Sequence, residues 1–164
     1  MPVFIGIDPG SRVTGYGVVE AAGGGIRYLG SGVLRVGSSD PVPVRLAAIK
    51  RGIDGVIAEY RPAAMAVEDV FVSRNARSAL TLGQARGVVL LAAAEAGIQV
   101  HEYAPREVKS SVTGAGSAHK SQVGAMIVRL LRPDRPLESE DESDALAVAF
   151  CHALRAGSPV GGRR

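Results

Sequence analysis

Two strand-like runs, VFIGID (residues 3–8) and VTGYGVVE (13–20), are separated only by Pro9 to Arg12. Parallel strands need a crossover of roughly a dozen residues or more, so so short a link forces these two to lie antiparallel, side by side. The first run is almost wholly apolar, as in a strand buried on both faces, and Pro9-Gly10 ends it at Asp8. Ala21 to Gly25 is a small-residue turn, and residues 26–35 read as a third strand. The chain therefore opens as a three-strand meander.

The period then changes. Pro43 suits the first turn of a helix, and Leu46, Ile49, Ile53, Val56, Ile57 and Tyr60 recur at helical spacing until Pro62. Residues 63–68 (AAMAVE) read as a short buried strand ending on Glu68, and the Ala/Leu-rich stretch 75–96 as a long helix closed by Gly97. Residues 98–103 are a fifth strand. Pro105 opens a short helix to about Val112, Ser117 can cap a helix over 118–132, and a last helix spans about 140 to 155. The order βββαβαβααα predicts one α/β domain over residues 1–156: a five-stranded mixed sheet with helices on both faces. Residues 157–164 read as a loose tail.

Composition narrows the class. With 46% hydrophobic and 21% charged residues the chain is globular. Its longest uncharged apolar stretch, Gly87 to Ala94, is far short of the roughly 20 residues of a membrane span. The first apolar run already contains Asp8, unlike a secretion signal. The single Cys151 excludes an intrachain disulfide and a Cys-rich zinc site and fits a reducing, cytoplasmic setting. The net charge of +3 is carried by 16 Arg among the 19 basic residues, a balance that permits nucleic-acid binding.

Four carboxylates stand in costly places. Asp8 ends a buried strand, where the bland reading is a turn Asp capping its own backbone. Its loop leads into a strand rather than a helix, so it is not a dinucleotide fingerprint, and no GxxxxGK[ST] is present. Glu68 directly follows AAMAV, where charge is costly unless paired or metal-bound; the alternative is a solvent-facing strand mouth. Asp141 and Asp144, three apart on a helix, share a face with Ala145 and Val148 and point inward with it. A plain acidic helix start accounts well for Glu138, Glu140 and Glu142, but badly for an inward Asp144. Brought together, four hard oxygen donors favour Mg²⁺ or Mn²⁺ over zinc. Such a set can hold two ions about 3.5–4 Å apart, as in-line phosphodiester displacement uses.

The strings GIDPGSRVTGYGVV (6–19), YLGSGVLR (28–35), VEDVF (67–71), LGQARGV (82–88) and GSAHKSQV (116–123), followed by D-x-x-D-A-L-A (141–147), resemble the RuvC-type Holliday-junction resolvases over roughly residues 3–155. That resemblance implies a ribonuclease-H-like fold and a homodimer that cuts four-way DNA junctions by symmetric, Mg²⁺-dependent nicks that a ligase can seal. Two metals per subunit, Mn²⁺ as a substitute and a branch-migration helicase complex as partner are implied with it. Asp8, Glu68, Asp141 and Asp144 become the metal-binding catalytic carboxylates. Some members carry His at the position of Asp141. Lys109 and Lys120 match lysines on the cleaved strand, and Phe71 an aromatic stacked on an unpaired base. The family's dimer interface uses the region of helix 75–96, which is apolar on several sides, as buried or interfacial helices are.

Each assignment has a plainer competitor. Phe71 can anchor a loop, and Lys109 and Lys120 can be solvated charges, although they are the only lysines in the C-terminal half and flank the Gly114-Gly116 hinge. Arg12, Arg74, Arg77, Arg86 and Arg106 can track phosphates or simply cover the surface. His119 can assist proton transfer, while His101 and His152 read as structural. Two other function classes compete: a non-catalytic junction-binding protein of the same fold, and an actin-like phosphotransferase, which also starts with a strand, an Asp-x-Gly loop and a hairpin. Intact carboxylates at four positions argue against the first; the short chain and missing second phosphate loop argue against the second.

Overall fold

The computed structural model describes residues 1–69 and 75–157. Strands β1 (Val3–Asp8), β2 (Val13–Ala22) and β3 (Gly25–Arg35) precede helix α1 (Val42–Tyr60). Then follow β4 (Ala64–Glu68), α2 (Ala76–Glu95), β5 (Gln99–Tyr103), α3 (Pro105–Thr113), α4 (Lys120–Leu131) and α5 (Glu140–Gly157). The strands form one sheet in the order β3-β2-β1-β4-β5. The forced antiparallel pair is there, with Val3 opposite Glu20 and Asp8 opposite Gly15. β3 extends the meander, and β4 and β5 add in parallel on the other side of β1.

Strand alternation sorts the two faces. Phe4, Gly6 and Asp8 share one face with their partners Val19, Gly17 and Gly15, and with Ala64 and Ala66 of β4. That face carries the core formed with α3, α4 and α5, including Val108, Ile127 and Leu146. The opposite face, Ile5, Ile7, Val18, Met65 and Val67, packs on α1 and α2 through Ile49, Ile53, Ala85 and Val89. The predicted mixed sheet with helices on both sides is the observed one.

Helix α5 lies unusually close to the sheet. A Cβ on Gly6 would stand 2.1 Å from the Ala145 carbonyl oxygen, and one on Gly15 2.1 Å from that of Asp141. One on Gly17 would meet Leu146 at 2.7 Å. Side-chain-free strand positions thus let helix backbone touch strand backbone.

Helix boundaries shift in two places. α4 starts at Lys120 rather than 118, and His119, not Ser117, is its N-cap. The reason is the Gln122 side chain, whose oxygen accepts the His119 N–H at 2.9 Å; Ala118 is instead held in a turn by the Ala115 carbonyl. α5 continues through Gly157 rather than ending near 155, and 158–164 lie outside the described residues.

His152 is structural, as its sequence setting suggested. It is buried in α5, its Nδ1 lies 2.7 Å from the Tyr103 hydroxyl, and its ring meets Phe4 edge-on. Burial, then the neighbouring His101, push its pKa down from 6.5 to about 4. Between those values the unfolded chain holds a proton that the folded one lacks. Stability is therefore full above pH 6.5 and falls as pH drops toward 4, by roughly 2–3 kcal/mol from this group. Strand-end carboxyls with raised pKa slope the opposite way, so the test compares urea midpoints of the wild type and His152→Gln at each pH. The variant should lose this component of the slope; parallel profiles would refute it.

Candidate active site

Asp8 and Glu68 end the neighbouring parallel strands β1 and β4, each two residues beyond a member of the registered pair Gly6 and Ala66. Alternation therefore turns both carboxylates to the face that α5 covers, at the carboxyl edge of the sheet, where open α/β sheets bind ligands. The first turns of α5 carry Asp141 and Asp144 over the same edge, because the Asp141 backbone rests on Gly15, the partner of Asp8. All four predicted carboxylates are brought to one place.

Their titration reports the crowding. Burial, then Asp144 and Asp141, push the Asp8 carboxyl up to about 8. Burial and Asp144 raise Glu68 against the pull of Lys120 and Lys109. Asp144 is raised chiefly by burial, although Lys120 donates to its Oδ2 at 2.8 Å and opposes the shift. Lys120 also reaches Glu140 at 3.4 Å, and the two carboxylates push its own pKa upward.

A cleft of about 210 Å³ opens beside them, lined by Glu68, Lys109, Lys120 and Asp144 with Val108 and Val123 among its apolar walls. Two cations and two acids facing one cleft suit a phosphodiester backbone approaching a charged centre. The donor set is all carboxylate oxygen, which fits a hard divalent cation and neither zinc nor copper. Among the described residues, no three acidic, histidine or cysteine side chains already stand close enough to ligate one ion. An ion there would draw together carboxylates that now repel one another.

Other predicted residues separate. Arg77 sits exposed in the first turn of α2, just after the Asn75 cap. Arg12 and Arg106 are exposed. Arg86 turns inward instead, donating to the Glu68 carbonyl at 2.7 Å and pairing with Glu102 at 3.1 Å, so it braces the end of β4. Phe71 and Arg74 lie outside the described residues.

Glu142, expected as a solvated acid of the helix start, is fully buried. Burial pushes its carboxyl up, but Arg135, the Ser31 hydroxyl and the Glu138 N–H outweigh it and hold it below the usual range. Nothing in a run of alternating acids marks which one has a cation waiting, because Arg135, seven residues upstream, reaches Glu138 as well as Glu142.

The pattern that describes the crossover junction endodeoxyribonuclease RuvC family matches residues 4–152. The chain belongs to the RuvC family. It is 51% identical over 154 residues to the RuvC of Histophilus somni, covering 93% of this chain and 80% of that relative. It is 50% identical over 156 residues to the RuvC of Alkalilimnicola ehrlichii, covering 95% and 93%. Among solved structures, Thermus thermophilus RuvC in complex with a Holliday junction substrate superposes with a TM-score of 0.89 at 36% identity, over 95% of each chain. The yeast mitochondrial Holliday junction resolvase, at 11% identity and a TM-score of 0.67, shares the fold. RuvC membership makes the chain a ribonuclease-H-like endodeoxyribonuclease of a divalent-metal-dependent family, as the motifs implied.

Proposed function

We propose that the chain resolves four-way DNA junctions as a homodimer, nicking two opposed strands symmetrically with Mg²⁺ and leaving ends that a ligase can seal. The observation that carries this reading is the convergence of Asp8, Glu68, Asp141 and Asp144 at one sheet edge of a RuvC-family chain, beside a cleft carrying Lys109 and Lys120. The four carboxylates would hold two ions, Mg²⁺ by preference and Mn²⁺ as a substitute. When bound, a divalent ion there supplies acidified water and charge neutralisation at the scissile phosphate. Lys109 and Lys120 hold the cleaved strand, Lys120 exchanging its contact with Asp144 for a phosphate. Arg77 and Arg74 track the DNA backbone. Phe71, three residues past Glu68 in sequence, stacks on an opened base, a contact worth about 1–3 kcal/mol.

The outer face of α2 supports the dimer. Leu80 and Leu91 are 67% and 51% exposed, and Gly83 and Gly87 lie exposed between them, an apolar and small-residue stripe fitted to close helix packing. One domain carries one site, so two cuts in a two-fold junction call for two copies. A branch-migration helicase complex is the partner that would deliver the junction, and the cytoplasm the compartment. Among the described residues no helix is long and apolar enough to cross a membrane.

The test is a mobile synthetic junction incubated with Mg²⁺, with all four strands read at nucleotide resolution. Paired nicks at symmetric positions, sealed by ligase, are expected. A gel shift without cleavage under Mg²⁺ or Mn²⁺ would favour a non-catalytic junction binder and overturn the reading.

A further inference from the structure

The buried Glu142 lies between two of the acids that converge on the site, and its partners come from two distant parts of the chain, β3 and the link before α5. Its Oε1 accepts the Ser31 hydroxyl of β3 at 2.6 Å and the Arg135 guanidinium at 2.5 Å. Its Oε2 accepts the Glu138 N–H at 2.6 Å. Arg135 also donates to the Ser31 carbonyl at 2.7 Å and the Pro136 carbonyl at 2.9 Å. Ser31 has its hydroxyl proton committed to Glu142, so the Tyr28 hydroxyl, 2.9 Å away, donates to Ser31. Tyr28 and Ser31, three apart, would point to opposite faces of a regular strand. The irregularity between the pairs Val18–Gly30 and Val19–Tyr28 restores them to one face. The result is a chain of hydrogen bonds from the edge strand, through Glu142, to the link before α5.

A buried carboxylate with a guanidinium is a poor device for stability alone, since apolar residues of similar size do as well or better. It is a good device for fixing one arrangement. The place it fixes is the first turn of α5, whose Asp141 backbone rests on Gly15 next to Asp8.

We propose that Glu142, with Arg135 and Ser31, is a positioning unit that sets Asp141 and Asp144 against Asp8 for metal binding. This rests on the reading that those acids are the ligands. Glu142 touches neither metal nor DNA; it acts by anchoring the helix turn that carries them. A bystander role in stability would leave metal affinity in the folded protein unchanged.

The experiment measures Mn²⁺ binding by electron paramagnetic resonance on the folded dimer, alongside the Mg²⁺ concentration for half-maximal junction cleavage. Glu142→Gln should weaken Mn²⁺ binding and raise the Mg²⁺ requirement by about tenfold, the low end for groups that hold ligands in place. Junction binding without metal should stay as in the wild type, and Arg135→Lys, which keeps the charge, should lose less. If Glu142→Gln does not fold, Ser31→Ala, which leaves the ion pair whole, carries the same test with a smaller expected shift in the same direction. Wild-type Mn²⁺ affinity in the folded variant would overturn the proposal. Asp141→Asn separates the two layers. If it weakens Mn²⁺ binding while Glu142→Gln does not, the positioning role alone fails. If Asp141→Asn binds Mn²⁺ like the wild type, the ligand assignment beneath it fails.

Discussion

Asp8→Asn should abolish Mg²⁺-dependent junction cleavage, by at least about a thousandfold or roughly 4 kcal/mol of transition-state stabilisation, while leaving junction binding intact. The substitution is nearly isosteric, so Gly6, Gly15 and the α5 backbone keep their fit. What it removes is the negative charge at the point where the four acids converge. The same charge is disfavoured in the metal-free protein, where burial, Asp144 and Asp141 lift the Asp8 carboxyl to about 8. A group whose folded pKa is raised binds more protons folded than unfolded. Its contribution to wild-type stability therefore falls as pH rises from 3.8 toward 8. Asn cannot titrate, so the variant should lack that decline and melt higher than the wild type in metal-free buffer near pH 8. Loss of activity with gain of stability is the pattern of a site whose function requires costly charge, and it excludes unfolding as the cause of inactivity. Thermal melts with and without Mg²⁺ complete the test, since the stabilisation that Mg²⁺ gives the wild type should shrink in Asp8→Asn. Robust cleavage by the variant would remove Asp8 from the metal site.

How far the site could be read in advance depended on how local each cause was. The short Pro9–Arg12 link dictates an antiparallel pair whatever surrounds it, and period-2 and period-3.6 patterns give the remaining elements. Asp8 and Glu68 stood out because each breaks an apolar run at its end, a contrast visible within six residues. Asp144 stood out because the apolar face it shares continues through Ala145 and Val148. Glu142 did not, because burial of one acid in an acidic run depends on Ser31, 111 residues away, and on a strand irregularity that no pattern announced. Arg86 likewise looked like any other surface arginine until the fold placed it under the Glu68 carbonyl. Gly6, Gly15 and Gly17 lay in a recognisable motif, yet their purpose, contact with a helix that begins more than 120 residues later, belongs to tertiary packing.

Those glycines supply the other large effect. Gly15→Ala would place a Cβ 2.1 Å from the Asp141 carbonyl oxygen, 2.4 Å from its carbon and 3.0 Å from the Glu142 nitrogen. All three are backbone atoms of the first turn of α5, so no side chain can swing aside. Relief requires the helix start to lift from β2 by more than about 1 Å to reach ordinary contact distance. Overpacking of this kind costs about 1–3 kcal/mol, which in a chain of this length lowers the melting temperature by about 2–12 °C. The larger consequence falls on the site, because the turn that lifts carries Asp141 while Asp8 stays on β1. A displacement near 1 Å at reacting groups can cost about a hundredfold in rate. Cleavage by Gly15→Ala should therefore fall by about that factor at temperatures where the variant is still fully folded. Gly55→Ala is the control: a Cβ there meets nothing within 4 Å on exposed α1, so it should leave cleavage unchanged and raise stability by about 0.5–1 kcal/mol through helix propensity. If Gly15→Ala cleaves and melts like the wild type, backbone contact between α5 and β2 is not what sets the distance between Asp8 and Asp141.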